Sequence, residues 1–306
     1  MQWRIIREGR IGINGLLNVN KPAGCTSFSI VAMVRRLSGE KRVGHAGTLD
    51  PAASGVLPIC IGQATRMAEY LLDYPKEYVA GIELGTSTDT YDGEGRITGR
   101  GTVHDISLAM VEEVLQSFEG SIDQVPPAFS AIKVLGRKSY ALARAGQEVI
   151  LQPRRVHIYN IQVVSSDLPY LKLKVSCSKG TYIRSLANDL GERLGCHAYL
   201  KDLARVSYGP FKIDDAVTPD QLQIAAAGDL IDRLLYPLDY ALTNFDRAYL
   251  DETQAESVQK GLDVALGTSP GLKGYSLAYS AEGRLLAVMK FVTENGLWHP
   301  EKVFNL

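Results

Sequence analysis

Residues 42–58 read Arg42-Val43-Gly44-His45-Ala46-Gly47-Thr48-Leu49-Asp50-Pro51-Ala52-Ala53-Ser54-Gly55-Val56-Leu57-Pro58. One carboxylate stands among three glycines and two prolines. Glycine reaches backbone conformations that other residues resist, and Pro51 pushes Asp50 toward an extended geometry. Such a loop can hold a side chain in a fixed, projecting position. Taken alone, an Asp before Pro in a Gly-rich loop is more commonly a turn residue.

Upstream of this loop, Leu16-Leu17-Asn18-Val19 reads as a short strand running into a loop at Lys21-Pro22-Ala23-Gly24. Thr26 and Ser27 are good helix N-caps. Ile30, Met33, Val34 and Leu37 follow at helical spacing, and Gly39 stops the helix. Downstream, Val111, Val114, Leu115 and Phe118 mark a helix over about 107–118, with Gly120 as its stop. Strand character appears at 156–163 and 171–177, where Leu171, Leu173, Val175 and Cys177 alternate with Lys172, Lys174 and Ser176. A helix follows at once, with Ile183, Leu186, Ala187, Leu190 and Leu194 on one face. Strands and helices interleave without a strict βαβ rhythm. The fold class expected is α+β, with a mixed, mainly antiparallel sheet.

The stretch 212–263 is acid-rich and mostly helical in pattern. Tyr275–Tyr279 and Leu285–Met289 flank Ser280-Ala281-Glu282-Gly283 as a β-hairpin. The reading therefore divides the chain into a large domain over 1–245 and a small β-rich domain over 246–306.

The composition fits a globular protein: 306 residues, 45% hydrophobic and 22% charged, with a formal net charge of -1. That charge argues against coating nucleic acid by bulk attraction, although it permits a specific basic face. Cys25, Cys60, Cys177 and Cys196 are scattered without a C-x-x-C pair, so buried free thiols are expected rather than a metal site or disulfides. Met1–Gly9 lacks the apolar core of a signal peptide, and no apolar run approaches membrane-spanning length. A cytoplasmic location without membrane association is expected.

The string His45-Ala46-Gly47-Thr48-Leu49-Asp50-Pro51 resembles the signature of the tRNA pseudouridine synthase B family. Further ordered blocks support the resemblance. They are Asn18, Lys21-Pro22, Gly24 and Thr26-Ser27; Gly62-Gln63-Ala64-Thr65-Arg66; Lys76-Glu77-Tyr78; and Leu84-Gly85-Thr86 with Thr88-Asp89-Thr90 and Asp92. Gln124-Val125-Pro126-Pro127 with Ser130-Ala131 and Lys133, and Ser178-Lys179-Gly180-Thr181-Tyr182-Ile183-Arg184-Ser185-Leu186, complete the set. Together they cover about residues 15 to 210.

The resemblance implies isomerisation of uridine to pseudouridine in the tRNA T-loop, at position 55 in tRNA numbering. The reaction breaks an N-glycosidic bond, turns the base and forms a carbon-glycosidic bond. It involves no net redox change or group transfer, so neither cofactor nor metal is expected. Asp50 matches the family's essential carboxylate. It could attack the sugar, attack the base or assist proton removal from the ribose, and must be ionised for each. Arg184 matches the residue that pairs with this carboxylate and orients it. Tyr78 matches the active-site tyrosine, able to stack on uracil and serve a proton transfer. Tyr182 matches a second pocket tyrosine, and Leu203 an apolar residue packing against the base. His45 matches a residue that fills the space left when the base is extruded from the folded loop. His104, His157, His197 and His299 carry no such match. Without the resemblance, Arg184 would read as a surface helix residue, the tyrosines and Leu203 as core, and His45 as structural.

From Lys133 to Arg155 the basic residues Lys133, Arg137, Lys138, Arg144, Arg154 and Arg155 face one acid, Glu148, with Tyr140 interleaved. Composition alone leaves open phosphate recognition or a solvated helix face. The resemblance assigns residues of about 124–152 to an insertion that clamps the RNA stem-loop, with Lys133, Arg137, Lys138 and Arg144 binding substrate. Arg35, Arg36, Lys41 and Arg42 could add phosphate contacts. By position and hairpin pattern, with Gly271 and Gly274, the last sixty or so residues resemble the family's PUA domain.

The expected partner is therefore the T stem-loop of tRNA, bound by a monomer needing no guide RNA and no protein partner. A guide-dependent catalytic subunit and a non-catalytic RNA chaperone are the alternatives. The 124–152 insertion and the absence of long basic tails weigh against the first. The intact Asp50 loop and Arg184 weigh against the second.

Overall fold

The computed structural model describes residues 12–130, 132–134, 136–147, 149–267, 270–271 and 274–305. Met1–Gly9, Ala131 and Glu148 lie outside the described residues, and so do the side chains of Lys133, Arg137, Lys138 and Arg144.

In chain order, the first part of the chain forms β1 (Gly15–Lys21), α1 (Ser27–Ser38), β2 (Val43–His45), β3 (Ser54–Ile61), a 3₁₀ turn, the short α2 (Ala68–Leu71), β4 (Lys76–Leu84), β5 (Thr86–Thr88), β6 (Ile97–Arg100), α3 (Leu108–Gln116) and β7 (Gly120–Gln124). The insertion contributes a small hairpin, β8 (Lys133–Val134) and β9 (Arg137–Lys138), and then α4 (Ser139–Arg144). There follow β10 (Arg154–Asp167), β11 (Tyr170–Cys177), α5 (Ile183–Arg193), β12 (Ala198–Tyr208), β13 (Phe211–Lys212), α6 (Pro219–Ala227), β14 (Asp246–Tyr249), α7 (Glu252–Gln259), β15 (Tyr275–Tyr279), β16 (Leu285–Val292) and β17 (Leu297–Val303).

The main sheet runs β1-β3-β12-β4-β11-β10-β7, with β2 added on β3 and β13 on β12. Its pairings are antiparallel except one. β12 meets β3 in parallel, with Ala204 opposite Ser54 and Arg205 opposite Gly55. The sheet is thus mixed and mainly antiparallel, as expected. The alternation read in 171–177 is the core pattern of β11: Leu171, Leu173, Val175 and Cys177 are buried against α3 and α5, while Lys172 and Lys174 are exposed.

Helix α1 starts and stops where its caps are. Thr26 accepts from the Ser29 amide, and Gly39 closes the helix at φ 70. Ile30, Val31 and Val34 pack on Leu17, Val19, Leu57 and Ile59 of β1 and β3. This places the first turn of α1 directly against the Asp50 loop.

The expectation of a mostly helical 212–263 needs correction. Only Pro219–Ala227 and Glu252–Gln259 are α-helical there. Residues 246–249 are strand, and turns fill much of the remainder. Leu238 and Leu242 are buried from turns against Phe211 and Leu16 rather than along a helix face. Their helical spacing is answered by tertiary contacts instead of local hydrogen bonds.

The C-terminal strands form a separate sheet, β14-β15-β16-β17, in which β14 and β15 are parallel and the hairpin β15–β16 falls where the sequence placed it. Trp298, Met289 and Val258 form its own core. Leu277, Tyr279, Val288 and Phe304 pack instead into a core shared with Leu16, Met67 and Tyr208. The C-terminal sheet is therefore seated on the main body. Of the four cysteines, Cys60, Cys177 and Cys196 are buried free thiols. Cys25 is only partly buried, contrary to expectation, because it lies in the turn ahead of α1, where its thiol meets the Pro22 carbonyl.

Candidate active site around Asp50

The loop between β2 and β3 is held from three sides. From α1, the Ser27 hydroxyl donates to the Leu49 carbonyl (3.0 Å) and accepts from the Leu49 amide (2.9 Å). From β1, the buried ammonium of Lys21 donates to the carbonyls of Cys25 (2.8 Å), Pro22 (2.9 Å) and Pro51 (3.3 Å). From β12, the guanidinium of Arg205 donates to Val56 (2.8 Å), Gly47 (3.1 Å) and Thr48 (3.4 Å). The Ala53 amide also closes a turn onto the Asp50 carbonyl (3.1 Å). Asp50 therefore projects from a fixed frame, with 44% of its side chain exposed.

Arg184 comes to it from the first turn of α5. Its Nε lies 3.0 Å from Asp50 Oδ2, and its side chain is 8% exposed. The Nε–H does not point along that line, so the contact is an ion pair without a well-aligned hydrogen bond. Arg184 Nη1 also reaches Asp92 Oδ2 and the Thr90 carbonyl, each at 3.4 Å, and Nη2 donates to the Phe129 carbonyl (3.1 Å). Asp92 is itself held by the Thr90 hydroxyl (2.6 Å) and the Glu94 amide (3.1 Å). The start of α5 is fixed by Gln124, whose side-chain amide donates to the Tyr182 carbonyl and accepts from the Tyr182 amide. The Ser185 hydroxyl donates to the Val125 carbonyl (2.7 Å). The Gln124–Ser130 motif thus serves to place Arg184.

Asp50 and Arg184 border a cavity of about 550 Å³ whose walls also include Tyr78, Tyr182 and Leu203. Tyr78 on β4 and Leu203 on β12 touch the apolar cores on both sides of the sheet. Burial pushes the Tyr78 hydroxyl pKa up, partly offset by the neighbouring Arg205 charge. Burial likewise raises that of Tyr182. Both phenols keep their protons at neutral pH. Among the described residues lining this cavity, Lys76, Arg154, Arg155, Lys179, Arg184 and Arg205 carry positive charge against the single carboxylate of Asp50. Lys76 is 6% exposed, and its pKa falls to about 8, first through burial and then through Arg205.

His45 is half-buried on β2 and does not line the cavity. Burial and the Arg205 charge lower its pKa, so the imidazole is neutral at pH 7. Its Nδ1 is buried without a hydrogen-bond partner. The other histidines have ordinary polar neighbours: His104 with Asp105, His157 with Ser121, His197 with Glu192 and His299 with Asp263. Lys133, Arg137, Lys138 and Arg144 fall on the β8–β9 hairpin and α4, which follow directly on the Gln124–Ser130 motif.

Sequence reasoning assigned no role to Asp92, Lys76 or Arg205. A signal for Arg205 existed. In a strand with period two it shares a face with Leu203, so an inward Leu203 implies an inward Arg205.

Residues 35–183 match the family described as "TruB family pseudouridylate synthase (N terminal domain)", and residues 184–243 match "tRNA pseudouridylate synthase B C-terminal domain". The chain is similar to a protein of Dehalococcoides mccartyi named "tRNA pseudouridine synthase B", with 45% identity over 95% of this chain and 97% of the relative. It is 42% identical to a protein of the same name from Geobacillus thermodenitrificans, over 96% of this chain and 100% of the relative. Among solved structures, it resembles a chain in the "Crystal Structure of a Cbf5-Nop10-Gar1 Complex". That match has a TM-score of 0.73 and 26% identity, over 95% of this chain and 85% of that one.

Proposed function

The chain belongs to the TruB family of pseudouridylate synthases, which makes it an isomerase acting on tRNA, and from that premise we propose that Asp50 is the reacting carboxylate and a T-loop uridine its target. The observation that carries this reading is the Asp50–Arg184 ion pair at the wall of a cavity with one acid and six cations. A half-exposed carboxylate can meet a nucleotide there, while a buried guanidinium fixes its direction.

The chemistry is closed within the nucleotide. The N1–C1′ bond breaks and the base turns. A C5–C1′ bond then forms, C5 gives up a proton and N1 carries one. Ionised Asp50 starts this by attack on C1′, by attack on the base or by taking a ribose proton. In each case Arg184 holds the carboxylate and Tyr78 and Leu203 bound the base. Tyr78 retains its proton because burial raises its pKa, so it can hand on or accept a proton through its hydroxyl. Tyr182 offers an aromatic edge to the same pocket. Neutral His45, outside the cavity, is suited to stack in the space the extruded base vacates.

The cationic lining draws in the phosphates flanking the target. Lys133, Arg137, Lys138 and Arg144, basic residues of the insertion that follows the Gln124–Ser130 motif, are assigned to the same RNA. The C-terminal sheet from residue 246 serves as a PUA-like module for the rest of the tRNA. The protein works as a cytoplasmic monomer without guide RNA. For action on tRNA without a guide, the support is that relatives named "tRNA pseudouridine synthase B" match this chain over 97–100% of their length.

The test is conversion of unmodified tRNA by purified protein alone, read by mass spectrometry or carbodiimide mapping. One T-loop uridine should convert with the wild type and none with Asp50→Ala. Inactive wild-type protein, or an active Asp50→Ala variant, would sink the assignment.

A further inference from the structure

We infer that Arg205 is a positioning residue that clamps both limbs of the Asp50 loop and so sets where the carboxylate stands. The inference rests on the reading of Asp50 as the reacting group. Arg205 is 2% exposed, and no carboxylate pairs with it among the described residues. Its guanidinium donates to backbone carbonyls on both sides of Asp50 and also neighbours the Tyr78 hydroxyl. Gly47 and Thr48 precede Asp50 and Val56 follows it, so one planar group ties the two limbs together. A guanidinium has the fork geometry for this, whereas an ammonium reaches one such acceptor at a time.

The backbone beneath the clamp is equally close. Arg205 pairs in parallel with Gly55, and a Cβ on Gly55 would lie 2.2 Å from the Arg205 carbonyl oxygen. Tyr208 completes the seat. Its ring lies 4.9 Å below the guanidinium carbon, and a Cβ on Gly47 would lie 2.8 Å from that ring. A buried guanidinium without a carboxylate is unfavourable unless its N–H groups are satisfied, and here the catalytic loop satisfies them. Those three carbonyls bracket Asp50, so the bonds that satisfy the guanidinium also fix the span of backbone that carries the carboxylate.

The variants are Arg205→Met and Arg205→Lys, with Asp50→Asn alongside. Binding of an unmodified tRNA transcript and single-turnover conversion at saturating enzyme are measured separately. In Arg205→Met conversion at saturating enzyme should fall about 100-fold, the scale of an ångström-sized misplacement, and in Arg205→Lys, which keeps the charge, the dissociation constant should stay within about threefold of wild type. Arg205→Lys should recover about tenfold of that loss. Amide exchange provides the structural readout, and it is taken on Arg205→Lys in case Arg205→Met does not fold. The Leu49 and Ala53 amides, bonded to Ser27 and Asp50, should exchange about tenfold faster while those of β4 and β11 stay unchanged.

Faster exchange without slower conversion overturns the inference, because the clamp is then irrelevant to the reaction. Slower conversion without faster exchange also overturns it, because Arg205 then acts through Tyr78 or on the substrate and not through the loop. An active Asp50→Asn variant overturns the catalytic assignment instead.

Discussion

Arg184→Met is the perturbation that separates the ion pair from the rest of the site. Methionine keeps most of the apolar stem and removes the charge that lies 3.0 Å from Asp50. Coulomb's law gives that pair about 5 kcal/mol at an effective dielectric constant near 20 and about 1.4 kcal/mol at that of water. Arg184 is buried but Asp50 is 44% exposed, so solvent screening places the interaction between these limits, at about 2–3 kcal/mol. If the pairing acts on the reacting state, conversion should slow roughly 30- to 150-fold. Removing a single preorganised charge from an active site produces losses of that scale. The variant also leaves Asp92 without its cation, so the folded fraction must be measured by urea unfolding before rates are compared. The assay is single-turnover conversion of unmodified tRNA, with binding measured in parallel. A folded Arg184→Met protein converting within about fivefold of wild type would refute the reasoning, since the pair would then contribute under about 1 kcal/mol to the reaction.

Gly55→Ala should destabilise the fold by roughly 2–5 kcal/mol, because φ is +104 and the new methyl meets backbone; Gly120→Ala, at φ +92 but in open space, should cost only about 1–2 kcal/mol, and denaturant midpoints compare the two. Lys76, with its pKa lowered to about 8, loses its charge as pH rises through that value, so wild-type tRNA affinity should fall between pH 7 and 9 and Lys76→Met should lack this component. The stability sign is opposite. The folded pKa lies below the unfolded 10.5, so the buried ammonium is a burden below pH 8 that is relieved between 8 and 10.5, and wild type should gain stability on Lys76→Met across that window. Replacing Arg137, Lys138 and Arg144 together with Ala should weaken tRNA binding and reduce the log–log salt slope by about two to three; an unchanged slope would remove these residues from the interface.

Local features were legible in the sequence and non-local ones were not. Helix α1 is bounded by Thr26 and Gly39, residues that act within one turn of themselves. The alternation of β11 and the β15–β16 hairpin are equally local. By contrast, β14 reads Asp246-Arg247-Ala248-Tyr249, with no alternation to announce a strand. It becomes one because β15 lies alongside, with the Ser276 hydroxyl donating to the Asp246 carbonyl and the Gly271 amide donating to the Asp246 carboxylate. The site divides the same way. Asp50, Tyr78 and Arg184 stand in motifs that could be matched residue by residue. Asp92 stood in a quoted motif without a role, because its pairing with Arg184 spans 92 positions. Arg205 and its acceptors are 149–158 positions apart, and that separation hides the clamp from any local pattern.

The buried cations of this site share a property that bears on RNA binding. Lys21, Lys76 and Arg205 each give their N–H groups to backbone carbonyls, and Arg184 divides its own among carbonyls, Asp50 and Asp92. A carbonyl dipole satisfies a donor without cancelling its charge, whereas a carboxylate does both. Had Lys76 and Arg205 been paired with Asp or Glu, as Arg155 and Lys179 are with Asp123 and Asp73, the cavity would lose much of its positive field. As built, its framework is hydrogen-bonded and its field remains positive. A chain with a net charge of -1 can therefore present a locally cationic pocket to a phosphodiester without a basic surface overall. The same arrangement explains why the loop carbonyls around Asp50 matter as much as its side-chain neighbours: they are the partners that let uncancelled charge be buried beside the reacting carboxylate.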